Sequence, residues 1–133
     1  MKFYGRNNNV QYSMSDIPKS LREYVNYVFV YGEVTPKEYK SFARKYRNVL
    51  KKMLPNGWEI VEFGGNWFTM SGVIKTNDDR FIFVSIPDVR YSVNAWIDDI
   101  LIRTMKNDHD WTGGMNHYTS LFEFSEDVQK LYR

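Results

Sequence analysis

The stretch Arg103-Thr104-Met105-Lys106-Asn107-Asp108-His109-Asp110-Trp111-Thr112-Gly113-Gly114-Met115-Asn116-His117-Tyr118 holds both histidines of the chain, together with carboxylates, cations, amides and a Gly-Gly pair. Three kinds of chemistry could use such a set. The first is metal binding by Asp108, His109, Asp110 and His117. The His109–His117 spacing matches no recognised ligand pattern, however, and the chain has no His-Glu-x-x-His. The second is acid–base work on a phosphodiester, which usually needs several convergent carboxylates; the sequence does not supply them. The third is anion capture. Successive backbone N–H groups in a Thr112-Gly113-Gly114 turn can form a nest for an anion, with Arg103 and Lys106 nearby in sequence. The competing structural reading has Asp110 capping the turn, Arg103 pairing with Asp108 or Asp110, and Asn116 satisfying backbone groups. No Gly-Lys-Ser/Thr ending follows, so this is not a P-loop. The expectation is no catalytic residue, no metal and no cofactor. Arg90, Arg103, Lys106, Asp110, Trp111, Thr112, Gly113, Gly114, Asn116, His117 and Tyr118 are read as a partner-binding set.

A second constellation lies in the most regular part of the chain. Thr35-Pro36-Lys37-Glu38 reads as a capping box with proline at the first helical position. Tyr39, Phe42, Ala43, Tyr46, Val49, Leu50, Met53 and Leu54 then recur at three-four spacing, and Pro55-Asn56-Gly57 ends the helix. The opposite face carries Lys37, Lys40, Arg44, Lys45, Arg47, Lys51 and Lys52. Such a stripe can neutralise phosphates. It is also what the solvated side of any amphipathic helix looks like, and that reading is the commoner one.

The elements that position these residues follow from periodicity. Ser15-Asp16-Ile17-Pro18 starts a helix whose apolar face is Ile17, Leu21, Tyr24, Val25 and Val28. After Gly57 the period changes to two. Strands are expected at 58–63, 67–75, 80–86 and 100–103, with a turn at Thr76-Asn77-Asp78-Asp79 and a short helix over 95–99. Ser125 caps a C-terminal helix. Residues 1–15 hold either a short strand, around Phe3-Tyr4 or Val10-Tyr12, or a flexible tail. The expected fold is α+β: N-terminal helices packed on a three- to four-stranded antiparallel sheet, with a short C-terminal helix, in a single domain over residues 1–133. Trp67, Phe68, Phe81 and Phe83 could stack bases, but no Lys/Arg-Gly-aromatic-Gly-aromatic pattern is present, so core packing is preferred.

Composition sets bounds. With 133 residues, 43 % hydrophobic and 17 % aromatic, the chain can build a core and is not of disordered type. A net charge of +2 argues against a DNA mimic that relies on bulk negative charge. No cysteine is present, so disulfides and thiolate zinc sites are excluded, and a reducing cytoplasm is the expected compartment. No secretory h-region and no apolar run near the ~20 residues of a membrane helix are visible, so no membrane partner is expected.

The block Val30-Tyr31-Gly32-Glu33-Val34-Thr35-Pro36 leads into the basic helix. With Leu101-Ile102-Arg103-Thr104, Lys106, Asp110, Thr112-Gly113-Gly114 and Asn116, it resembles small proteins of no assigned activity carried by bacteriophages and mobile elements of Firmicutes. The resemblance spans residues ~30 to ~120, with Met105 and Trp111 standing where Ala and Tyr are expected. It implies a non-catalytic accessory protein that binds a host protein or protein–nucleic-acid complex. A CRISPR effector nuclease inhibited in the anti-CRISPR manner is the leading candidate. Direct nucleic-acid binding is the alternative, and a metal-dependent nuclease comes third.

Overall fold

The computed structural model describes residues 2–4, 11–22, 36–65, 69–87, 95–107 and 114–132. Helix α1 spans Pro36–Lys52. Its three-four apolar spacing lays Phe42, Tyr46, Val49 and Leu50 along one buried face. Lys40, Arg44, Arg47, Lys51 and Lys52 are exposed opposite them, and Lys45 is half-buried. Thr35 of the expected capping box lies outside the described residues.

The sheet is an antiparallel meander of five strands: β3 (Glu59–Gly64), β4 (Met70–Lys75), β5 (Phe81–Ile86), β6 (Ile100–Met105) and β7 (His117–Thr119), paired in that order. This corrects the expected three to four strands, since β7 was read as loop. A further ribbon forms from β1 (Lys2–Tyr4) and β2 (Gln11–Ser13), with Phe3 opposite Tyr12. Both segments considered as short strands near the N-terminus therefore exist, and they pair with each other.

Helix placement also differs from expectation. Of the expected helix from Ser15 onward, Met14–Asp16 is a 3₁₀ turn and residues 19–22 are helical. Ile17 and Leu21 are fully buried there, and Tyr24, Val25 and Val28 lie outside the described residues. A short helix α2 (Ala95–Asp98) interrupts the meander before β6, and helix α3 (Phe124–Lys130) closes the chain. The serine that organises the start of α3 is Ser120, not Ser125. Ser120 Oγ accepts from the Glu123 N–H at 3.2 Å, one turn ahead of the helix. Glu123, the N-cap residue itself, makes no side-chain capping bond.

Alternation sorts the strands into two faces. Ile74, Ile82, Ile86, Ile100 and Ile102 point inward with Val84 and Met70, and they meet α1, Ile17, Leu21, Trp96, Phe124 and Val128 in one core. Phe42, Tyr46 and Trp96 form an edge-to-face triad with centroids 4.9–6.2 Å apart. The Tyr46 hydroxyl donates to the Trp96 carbonyl at 2.5 Å, and full burial pushes its pKa far above the ordinary tyrosine value.

The outer face carries Val73, Phe83 and Arg103 in one cross-strand row. At the β4–β5 turn, Asp79 takes a left-handed φ of 63°, as the Asn-Asp-Asp sequence suggests. Thr76 Oγ1 donates to Asp78 at 2.6 Å and accepts from the Arg80 N–H at 2.9 Å. The Thr76 hydroxyl and then Arg80 hold the Asp78 carboxyl below its usual range.

Candidate binding surfaces

The polar 103–118 segment is a hairpin connection and not one long loop. Strand β6 carries Arg103, Thr104 and Met105, and β7 takes His117 and Tyr118, so Lys106 to Asn116 connects them. Register then divides the expected set between two faces. Ile102 pairs with His117 and Leu101 with Tyr118. His117 therefore shares the helix-facing side, and Tyr118 the other.

Arg103 is already engaged. Its Nη1 donates to Asn116 Oδ1 at 3.2 Å, and its guanidinium carbon stands 5.1 Å from the Phe83 centroid. Its Nε is buried with no hydrogen-bond partner. The guanidinium stands over Phe83, which lies half-buried on the outer face and not in the core where the strand aromatics were expected to pack.

Gly114 has φ +77°, and a Cβ there would run into the Thr104 side chain and carbonyl. Both the dihedral and the close approach require glycine. At least the second glycine of the pair is thus needed to bring the returning strand against β6. Next to it Met115 is 78 % and Tyr118 44 % exposed, two of the few large apolar side chains that the described surface leaves open. Lys106, Asn116 and His117 are exposed as well. Arg90, Asp110, Trp111, Thr112 and Gly113 lie outside the described residues, as do Asp108, His109, Trp67 and Phe68.

Beside this hairpin a groove of about 540 Å³ runs between β7 and α3. Ile102, Asn116, His117 and Tyr118 form one wall, and Asp127, Lys130 and Leu131 the other. Asp127 accepts from Thr119 Oγ1 at 2.6 Å, which ties α3 to the sheet edge, and Lys130 pairs with Glu126 at 3.1 Å. The lining thus mixes apolar surface with both signs of charge. Sequence reasoning missed Asp127, Lys130 and Leu131, because nothing in the order of residues says that α3 returns to β7.

At the opposite edge of the sheet, α1 and β3 enclose a second groove of about 300 Å³. Lys40, Arg44 and Arg47 line its helix side above Ala43, and Phe63, Gly64 and Gly65 line its strand side. Arg47 crosses the gap to donate to the Ile60 carbonyl at 3.2 Å. Among the described residues, neither Lys40 nor Arg44 pairs with a carboxylate. Of the expected basic face, these three cations line the groove. Lys51 and Lys52 are exposed outside it, and the Lys37 side chain lies outside the described residues.

Among the described residues, no helix is long and apolar enough to cross a membrane. Compared with known proteins, the chain matches no family model, no curated protein and no solved structure.

Proposed function

We propose that this protein acts by binding and not by catalysis, as a phage or mobile-element accessory protein that occupies a host protein or protein–nucleic-acid surface. A CRISPR effector nuclease, inhibited in the anti-CRISPR manner, is the first partner to test. The observation that supports the reading is the β7 edge. Exposed Tyr118, three residues from exposed Met115, lines a groove that offers apolar surface, one carboxylate, one lysine and an exposed imidazole. An aromatic anchor with a mixed polar rim suits a protein surface, whereas a polyanion needs one sign of charge. A short edge strand also leaves backbone groups available for pairing with an extended partner segment.

The test is target cleavage by purified guide-loaded effector nucleases, run with and without the protein, together with co-elution of the complex. The expected result is inhibition with a stable complex, weakened at least tenfold by combining Met115→Glu with Tyr118→Ala. If tagged protein retains no host protein after nuclease treatment of a lysate, and no effector is inhibited, the reading fails. Direct nucleic-acid binding is the second reading, supported by the basic groove between α1 and β3.

A further inference from the structure

We infer that the groove between α1 and β3 is a phosphodiester site for single-stranded nucleic acid, with Lys40 and Arg44 as the backbone contacts. The inference rests on the nucleic-acid reading of α1 and is independent of the β7 hairpin. It narrows seven basic residues of one helix to those that share a concave site.

Charge and shape carry the argument. Lys40 and Arg44 are exposed in the groove and, among the described residues, pair with no carboxylate, so both cations face the cleft. Arg47, by contrast, is braced against the Ile60 carbonyl and fixes the distance between helix and strand. The strand side ends in Gly64 and Gly65. A Cβ built on Gly64 would meet nothing within 4 Å, so the lip is open and a sugar–phosphate chain can approach the main chain closely. Phe63 and Ala43 give the groove apolar surface, on which a base or sugar can rest.

Spacing favours a single strand over a duplex. Along the helix axis Lys40 and Arg44 are ~6 Å apart. Consecutive phosphates of an extended strand can each meet one of these cations. A duplex presents its phosphates on a convex surface that a cleft of about 300 Å³ cannot enclose.

The experiment measures fluorescence anisotropy of a labelled oligothymidine of roughly 20 nucleotides, longer than one site requires, over a salt series, with a duplex of equal length beside it. Two double variants are compared. Lys40→Glu with Arg44→Glu alters the groove. Lys51→Glu with Lys52→Glu makes the same change of charge on the same helix outside it. The groove variant should lose at least tenfold in affinity, and its slope of log K against log salt should flatten by about 1.4, from two lost contacts at ~0.7 each. The control should stay within about threefold of the parent protein. Equal losses in both variants would overturn the site and leave general basic attraction. Tighter binding of the duplex would overturn the single-strand assignment. No binding of the parent protein at low salt would overturn the nucleic-acid reading as well. All four substituted side chains are exposed, and circular dichroism checks the fold. If the glutamate pair unfolds, Lys40→Gln with Arg44→Gln asks the same question with half the charge change.

Discussion

Gly114 decides whether the hairpin can close. At φ +77° any side chain is strained, and here the added carbon would also collide with Thr104. Gly114→Ala should cost about 2 kcal/mol or more, combining the dihedral penalty with the clash. Denaturant unfolding would read that loss as a lower midpoint at unchanged slope. The Thr112-Gly113-Gly114 motif was legible in the sequence, but its purpose was not. Glycine marks a permissive backbone, and only the position of Thr104 shows that the space is filled. Arg103 carries the same lesson. Its type suggested a partner anchor, and Phe83 and Asn116, set beside it by strand register, hold it within the sheet. Lys40 and Arg44 were visible as part of a stripe. What singles them out is the cleft, and a cleft depends on where β3 ends.

At the scale of elements, α1 was readable because its spacing is long and regular and its apolar face is continuous. Strand β7 was not, because three residues with burial exposed, exposed, buried give too short a pattern. It is a strand because Ile100, Leu101 and Ile102 offer an unpaired edge. The contact between α1 and α2 is a sharper case. Tyr46 sits in the apolar stripe of the helix, yet its hydroxyl is what satisfies the Trp96 carbonyl. Tyr46→Phe should leave that acceptor buried and unpaired at a cost of about 1–3 kcal/mol, seen as a lowered melting temperature. The raised pKa of Tyr46 also fixes a pH dependence. The folded state holds this proton more tightly than the unfolded chain does. Its contribution is therefore complete below the ordinary tyrosine pKa of about 10 and is lost as pH rises beyond it. Ultraviolet titration should show Tyr46 ionising only as the protein unfolds, and Tyr46→Phe should reduce that delayed step by one tyrosine.

Across the whole molecule, the two candidate surfaces occupy opposite edges of one sheet. Four inter-strand steps separate β3 from β7, roughly 19 Å. The two share no lining residue. Substitutions in them should act additively: Met115→Glu with Tyr118→Ala should leave oligothymidine affinity within about twofold, and the groove variants should leave complex formation with a protein partner equally unaffected. Isothermal titration of the four combinations would measure the coupling, and a large coupling energy would mean that one ligand spans both edges. The α+β class, the alternation of β5 and the stripe of α1 could be read from order alone. The distance between the surfaces could not, since it needs the count of strands.

That strand order equals chain order has a consequence for how the protein is made. Each strand of the meander pairs with the one before it: β4 meets β3 and β5 meets β4 across short turns, whereas β6 follows through α2 and β7 through the Lys106–Asn116 connection. On a ribosome, every residue lining the basic groove is translated before the hairpin exists. The β7 edge arrives later, followed by the Phe124 and Val128 side chains that join the core. A nascent chain therefore carries the basic groove before it gains the exposed Met115–Tyr118 edge.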